Sequence, residues 1–313
     1  MAGWPVASPA QTAQTAGWPN KPIRIIVGYP PGGAVDIAAR AIADKLSDSL
    51  KQPIVIESKP GASGVIGTDY VAKSAPDGYT LLMAASTIPI QATLLKLPFD
   101  TVRDITQIAM VATTPLVLVV NPKLPVNDVA GLIALAKAQP GKLNYGNPSR
   151  GSSNHLATEM FKSMAGLDIV NVPYKGGPQA ETDLIGGVVT MMFGAAPSTL
   201  PQVKSGRMKA LAVSTSARAG VSPDLPTMAE SGLPGFDVTN WYGLMGPANM
   251  PPAIVQRLNA EVNRALLLPE VRERLQRAAL DPAPQTPEQF STFVRTEIVK
   301  WAKVIKDTGT TAD

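Results

Sequence analysis

The sequence contains no cysteine and a single histidine, His155. The absence of cysteine excludes disulfides, thiolate zinc sites, iron–sulfur clusters and cysteine nucleophiles. With one histidine, a metal site made of several histidines is impossible, and any Ser-His-Asp triad would have to use His155. The phosphate-loop motif G-x-x-x-x-G-K-S/T, the dinucleotide motif G-x-G-x-x-G and the nucleophile motif G-x-S-x-G are also absent. We therefore expect neither a metal nor a cofactor.

Long apolar runs are missing too, since none approaches the 18 residues of a membrane-spanning helix. Lysine and arginine exceed the acidic residues by 28 to 24, which gives a net charge of +4. These basic residues are scattered, and near the C-terminus they alternate with acids, as at Arg272, Glu273 and Arg274. Such alternation is typical of solvent-exposed helix faces, so we expect no nucleic-acid partner.

The first 20 residues are small and polar, and no apolar segment of the signal-peptide type precedes them. We expect residues 1–20 to be a disordered tail or the remnant of a signal peptide that was removed or replaced. The remainder of the 313-residue chain is long enough for two lobes of ordinary size.

From residue 21 onward, β-rich runs alternate with helical ones. Strands are predicted at 23–27, 54–57 and 80–84, and again at 143–145, 169–172, 188–193 and 210–214. A uniformly apolar run at 116–120 indicates a buried or crossover strand, and three helices close the chain at 252–267, 269–280 and 287–306. Two successive α/β sets with a return segment at 238–247 predict two lobes joined by more than one crossing, with a hinge and a cleft.

Residues 29–36 form the most informative loop, because they lie between the first strand and the first helix. Two prolines, Pro30 and Pro31, stiffen the entry, and Gly32 and Gly33 allow backbone N–H groups to point inward. The helix N-terminus adds the positive end of its dipole, so the main chain alone can form an anion site. Asp36 either caps the helix or orients a ligand.

A second loop of this kind follows the strand at 143–145 and spans residues 146–155. Its Arg150 supplies a guanidinium suited to a carboxylate, although an exposed surface arginine is the alternative. Two further glycine-rich strand ends occur at 172–178, with Tyr174, and at 193–198, with Gly194 and Ala195. Clefts of open α/β sheets form at such carboxyl ends of strands. The spaced glycines 61, 64 and 67 favour a tight turn with close helix packing over a phosphate site.

An enzyme of the same fold class is the main rival interpretation. Ser152 and His155 lie three residues apart at a predicted helix start, so a hydrolase or transferase could use them. No third, orienting group is visible, and such a pair usually caps a helix or packs inside the protein. A sensory receptor with the same fold is a third reading.

Eight segments occur in an order typical of one family: IVGYPPGG at 26–33, KPGASG at 59–64, PDGYTLL at 76–82, PGKLNYG at 140–146, VPYKGG at 172–177, ALAVS at 210–214, LPTMAESGLPG at 225–235 and WYGL at 241–244. In this order they resemble the Bug-type periplasmic receptors of tripartite tricarboxylate transporters. The resemblance covers nearly the whole chain, from Trp18 to about Gly309.

The resemblance implies an α/β, type II periplasmic-binding-protein fold with two lobes, a hinge and a central ligand cleft. Lobe one would comprise residues 21–120 plus 240–313, and lobe two residues 121–239. The protein would be a periplasmic monomer without enzymatic activity that binds a small carboxylate and delivers it to the membrane subunits of a tripartite tricarboxylate transporter. The candidate ligand-binding residues are Tyr29, Pro30, Gly32, Gly33, Ala34, Asp36, Ser86, Asn147, Arg150, Gly151, Ser152, Ser153, His155, Tyr174, Gly194 and Ala195.

Two positions depart from the family pattern. Residues 147–150 replace a stretch rich in glycine and serine and bring in Arg150, and Gly194 stands where family members often have an acid. The first change adds a cation to the distal pocket, and the second removes a negative charge near it. Both favour dicarboxylates, aromatic ones included, over amino acids.

Overall fold

The computed structural model describes residues 17–311. The strands are β1 (Ile23–Val27), β2 (Ile54–Ser58), β3 (Thr80–Ala85), β4 (Ile105–Val120), β5 (Asn144–Asn147), β6 (Val170–Pro173), β7 (Met191–Ala195), β8 (Lys209–Val213), β9 (Thr239–Pro247) and β10 (Asp281–Pro282). The helices are α1 (Ala34–Leu50), α2 (Val65–Ala72), α3 (Thr87–Leu94), α4 (Val129–Ala138), α5 (Ser153–Ala165), α6 (Gly177–Gly186), α7 (Ala196–Lys204), α8 (Pro252–Leu267), α9 (Pro269–Arg277) and α10 (Pro287–Thr308). Within residues 17–311, no helix combines the length and apolar character needed to cross a bilayer.

The first and last parts of the chain build one half of the sheet, here called sheet A. Parallel strands run in the order β2-β1-β3, and β9 then pairs antiparallel with both β3 and the first part of β4. Apolar side chains from α1 and α8, such as Leu46 and Leu258, pack on one face, while Phe290 of α10 packs with Trp241 of β9 on the other. Sheet A is therefore covered on both faces, as parallel strands require.

The middle of the chain builds the second half, sheet B. The last five residues of β4 pair with β7 and with β8, and β5 pairs parallel with both β6 and β7. Its core packs Tyr145, Phe161 and Phe193 against Leu118 of β4. Strand β4 thus runs from sheet A into sheet B, and the apolar run at 116–120 is the part of it that lies in sheet B.

Helix α10 also contacts both halves of the molecule. Its Phe290 and Val294 lie in the core beside Trp241, whereas Trp301 and Ile305 lie in the core of sheet B. Near the C-terminal end of α10, Lys300 donates a hydrogen bond to the Asp237 carbonyl at 3.0 Å. The C-terminal helix is therefore a further connection between the two α/β units, besides β4 and β9.

The structure corrects the predicted end of the N-terminal tail at residue 20. Residues 1–16 of the expected tail lie outside the described residues, but Trp18 is only 5% exposed and belongs to the core of sheet A. Arg257 donates a hydrogen bond to its carbonyl, and Tyr79 lies against its ring. Ordered packing thus includes Trp18, three residues before the predicted boundary at residue 21. The lobe boundaries at 120 and 240 remain predictions.

Candidate functional site

The first loop connects β1 to α1. Gly33 is the N-cap of α1 and no side chain caps the helix, because glycine has none to offer. The first N–H groups of a helix have no partner within it, and Pro30 to Gly33 are exposed to solvent. The loop therefore presents main-chain donors and the positive end of a helix dipole at the carboxyl end of β1, an arrangement suited to a carboxylate.

Tyr29 anchors this loop to its neighbours. Its hydroxyl donates to the Ser63 carbonyl at 2.8 Å and lies 2.6 Å from Thr87 Oγ1 at the start of α3. Because the single hydroxyl proton of Tyr29 is donated to Ser63, Thr87 is the donor between the two hydroxyls. Burial raises the pKa of Tyr29. Burial also raises the pKa of Tyr242 of β9, and the charge interaction with Tyr29 raises it further.

Asp36 occupies a position inside the first turn of α1 rather than at the N-cap. Its Oδ2 accepts from the Gly32 amide at 3.0 Å and from Arg40 Nε at 2.8 Å. Arg40 lowers the pKa of Asp36, burial opposes this, and the Gly32 N–H adds to the lowering. The prediction that Asp36 either caps α1 or orients a ligand thus missed its role in fixing the loop. The Gly32 N–H, expected to point inward, is already taken.

Ser86 lies at the end of β3, beside the beginning of β9. It follows β3 and precedes α3, its amide donates to the Trp241 carbonyl, and its hydroxyl donates to Asn240 Oδ1 at 3.1 Å. Ser86 is 7% exposed. Its hydroxyl therefore ties the end of β3 to the beginning of β9.

The second loop begins at Asn147, the last residue of β5. Asn147 is fully buried, and its Oδ1 accepts from the Ser149 amide at 3.1 Å. Its Nδ2 has no hydrogen-bond partner among the described residues. An unsatisfied buried donor is costly, so this NH₂ group is the strongest single indication of a ligand contact in the second loop.

Among the described residues, Ser152 and His155 form hydrogen bonds with the backbone of the second loop. Ser152 is the N-cap of α5: its Oγ accepts from the His155 amide at 3.2 Å and donates to the Ser149 carbonyl at 2.7 Å. His155 Nδ1 instead accepts from the Gly151 amide at 3.1 Å. The Ser152 hydroxyl and His155 Nδ1 thus bond to the backbone of the loop. Within residues 17–311, no hydrogen bond joins the two side chains as the nucleophile–base pair of the enzyme interpretation would require.

The strand end at Gly194 is closely packed. A Cβ on Gly194 would lie 2.2 Å from Thr199 Oγ1, and that hydroxyl donates to the buried Glu181 at 3.2 Å. Ser198 donates to the same carboxylate, and Asn154 of α5 donates to the Phe193 carbonyl at 2.7 Å. Thr199 leaves no room for a side chain at position 194, which explains why glycine is needed here. The acid of this region, Glu181, lies behind the strand.

The other predicted residues lie around the second loop with different exposures. Arg150 is exposed and close enough to lower the pKa values of Tyr145 and His155.

The Tyr174 amide donates to the Asn147 carbonyl, while its hydroxyl donates to Asp183. Burial and this interaction raise the pKa of Tyr174 to about 12. Ser153 is buried in the first turn of α5, and Ala195 is the N-cap of α7.

Helix α3, which the sequence patterns missed, contacts both loops. Thr87 at its start meets Tyr29, and Leu94 at its end lies against the second loop, where a Cβ on Gly151 would be 2.7 Å from Leu94 Cδ1. Seven residues of helix separate these contacts by roughly 10 Å. The two loops therefore contact opposite ends of one short helix.

Among residues 17–311, no cluster of three His, Asp or Glu side chains could hold a metal.

The fold is that of a two-lobed α/β solute-binding protein, in which the two candidate loops follow strand ends and contact opposite ends of α3. The chain belongs to the tripartite tricarboxylate transporter receptor family, whose model, described as "Tripartite tricarboxylate transporter family receptor", matches residues 38–310. Proteins of this family are periplasmic solute-binding receptors and not enzymes.

Individual relatives agree with this assignment. Protein BugT of Bordetella pertussis is 42% identical over 295 residues, which cover 93% of this chain and 90% of that protein. The solved structure of R. palustris Rpa4515 with adipate is 35% identical, covers 94% of this chain and 99% of its own, and has a TM-score of 0.80. MatC from Rhodopseudomonas palustris with bound malate is 31% identical, covers 92% and 100% of the two chains, and has a TM-score of 0.75. The predicted family and the type II periplasmic-binding-protein fold are confirmed.

Proposed function

We propose that this receptor captures a small dicarboxylate between residues 29–36 and residues 146–153 and delivers it, as a periplasmic monomer, to the membrane subunits of a tripartite tricarboxylate transporter. In this proposal lobe one comprises residues 21–120 plus 240–313, and lobe two residues 121–239.

The observation that supports the proposal is that the two candidate loops contact opposite ends of α3. The first loop offers main-chain N–H groups at the N-terminus of α1. The second offers the unpartnered Nδ2 of Asn147 among the described residues and the positive charge of Arg150. A separation of roughly 10 Å along α3 suits a molecule with a carboxylate at each end.

Similar proteins support this ligand class. The neighbours described above contain adipate and malate, and both compounds are dicarboxylates. Residues of the first loop would hold one carboxylate, and Asn147 and Arg150 would hold the other. The carboxylate of Glu181 accepts from the hydroxyls of Ser198 and Thr199, so this acid is engaged within lobe two and Gly194 itself brings no negative charge to the distal end.

Isothermal titration with three ligands of equal length tests the proposal. Adipate, hexanoate and 6-aminohexanoate differ only at one end, which is a carboxylate, a methyl group or an ammonium group. We expect adipate to bind at least tenfold more tightly than the other two, because only it satisfies both loops. Terephthalate then tests whether an aromatic spacer is accepted. Tighter binding of 6-aminohexanoate or of free amino acids would overturn the proposed ligand class.

Asn147→Ala and Arg150→Gln locate the distal carboxylate. Each variant should weaken adipate binding by about tenfold or more while leaving hexanoate binding unchanged, because charged hydrogen bonds contribute about 1.5–3 kcal/mol. Lys137→Gln, a change on the exposed side of α4, is the matched loss of one positive charge away from both loops. If Lys137→Gln weakens adipate binding as much as Arg150→Gln does, a general charge effect replaces the proposed local contact.

A further inference from the structure

The imidazole of His155 is buried inside the second α/β unit, and only 6% of the residue is exposed. Its Nδ1 lies 3.1 Å from the Gly151 amide nitrogen, and a backbone N–H can only donate. Nδ1 must therefore carry a lone pair, which places the ring proton on Nε2. The side chain is a neutral imidazole of one defined tautomer.

The residue that donates this hydrogen bond, Gly151, has an unusual backbone conformation. Gly151 has a φ of +67°, in the left-handed region, and it closes the turn that begins with Asn147 and Ser149. Gly151 is half-buried, a Cβ at this position would meet Leu94, and its N–H donates to His155 Nδ1. Asn147 is held by the pairing of β5 with β6, whereas the hydrogen bond to His155 ties the following part of the loop, which carries Arg150, to the first turn of α5.

Charged and titratable groups surround the ring from several elements. Tyr145 of β5 stacks on it with centroids 6.4 Å apart, and the Tyr145 hydroxyl donates to Glu159 at 2.6 Å. Lys162 donates to both oxygens of Glu159, so that carboxylate is already compensated. Arg150 approaches from the loop. Burial lowers the pKa of His155, Arg150 and Lys162 lower it further, and Glu159 opposes them.

We propose that His155 is a positioning residue whose unprotonated Nδ1 holds the Gly151 amide and keeps the second loop in its ligand-binding shape. This inference rests on the proposed function only for its effect on affinity. A proton on Nδ1 would bring two donors together and break the contact. Ligand affinity is therefore constant when the pH is above the ordinary histidine pKa of about 6.5. It falls as the pH drops through the lowered pKa of His155.

Because the chain has one histidine, its ring nitrogens can be observed without ambiguity. Nitrogen-15 NMR of histidine-labelled protein without ligand should show an Nε2–H tautomer that titrates below pH 6.5. An Nδ1–H tautomer, or a midpoint at or above 6.5, would overturn the inference. This measurement requires no ligand, so it remains decisive even if no dicarboxylate binds and the proposed function fails.

Binding measurements with adipate then test the functional consequence. Asparagine places its Oδ1 near the position of Nδ1, so His155→Asn should bind within about threefold of the native protein at pH 7.5, whereas His155→Leu should bind about tenfold more weakly. As the pH falls from 7.5 through the His155 midpoint measured by NMR, the native protein should lose affinity more steeply than His155→Asn. The titration of adipate itself affects both proteins equally and cancels.

Two results would contradict the role of His155 in binding. One is unchanged adipate affinity in His155→Leu at pH 7.5. The other is an identical pH profile for the native protein and His155→Asn. Circular dichroism establishes that each variant is folded, and if His155→Leu does not fold, the comparison of the native protein with His155→Asn still decides the question.

Discussion

Gly28 and Gly67 lie backbone against backbone: a Cβ on Gly67 would be 2.9 Å from Gly28 Cα, and a Cβ on Gly28 would be 2.8 Å from Gly64 Cα. This contact sets α2 directly against the residue that precedes Tyr29 and so fixes the start of the first loop. It confirms the interpretation of the spaced glycines as a tight turn with close helix packing.

Gly67→Ala should destabilise the protein by about 1–3 kcal/mol, because backbone atoms cannot move aside as a side chain could. Urea unfolding measures the change in free energy. Gly186→Ala is the matched control, since nothing lies within 4 Å of its Cβ position at the end of α6, and it should be neutral or stabilising by about 0.5–1 kcal/mol. Equal unfolding midpoints for the two variants would contradict the prediction.

The carboxylate of Asp36 should stabilise the protein in a pH-dependent manner. Its pKa in the folded protein lies below the unfolded value, so its contribution is present above the unfolded pKa, about 3.9, and is lost as the pH falls through the folded value. The stabilities of the native protein and Asp36→Asn should therefore differ at pH 6 and approach each other as the pH falls below the unfolded pKa.

Denaturant unfolding between pH 2.5 and 6 measures this convergence. Asp48→Asn removes an exposed carboxylate from the same helix and controls for the change in net charge. A difference between the native protein and Asp36→Asn that stays constant over the whole pH range would show that Asp36 does not act through its ionised form.

Gly194→Ala should cost about 1–3 kcal/mol, because the new methyl group meets Thr199 Oγ1. In a Thr199→Ala background the same substitution should cost much less, since the obstructing hydroxyl is gone. The double-mutant cycle measures this coupling, which is expected at about 0.5–3 kcal/mol for residues in contact. Strictly additive effects would mean that the clash is relieved elsewhere.

Trp301→Ala should destabilise the protein by about 3–5 kcal/mol. The indole is 1% exposed in the core of sheet B, and its N–H donates to Glu297 at 3.0 Å. Val299→Ala on the same helix, where the side chain is 71% exposed, should change stability by less than about 0.5 kcal/mol. Thermal unfolding compares the two, and a small effect of Trp301→Ala would show that α10 is loosely attached to the second half.

Much of the fold could be predicted because the strands of parallel units are short, and some are rich in β-branched residues with glycine or proline nearby, as in β1 and β2. The loops between strand and helix were found for the same reason. Helix α3 was missed because it is short, contains Pro89 and is rich in β-branched residues. The first part of β4 was missed because its pairing with β9 is specified far away in the chain.

Site contacts could be predicted only where they depend on residue type. A glycine-rich segment between a strand and a helix predicts a loop at a helix N-terminus, and Gly33 and Ala34 do lie where α1 begins; their contact with a ligand stays a prediction. The hydrogen bonds from Gly32 to Asp36 and from Gly151 to His155 both span four residues, yet their direction depends on the local backbone, which residue identities alone do not specify. The Leu94–Gly151 contact depends on a helix that was not predicted.

The pairing of β3 with β9 has a consequence for the order of folding. Leu82 lies opposite Met245, and the whole middle of the chain separates them. Closing so long a loop is entropically costly, so we expect sheet B, formed from nearer neighbours, to assemble first. Until β9 has been synthesised, β3 presents an unpaired apolar edge, and a chain halted before residue 239 is a natural substrate for chaperones or aggregation.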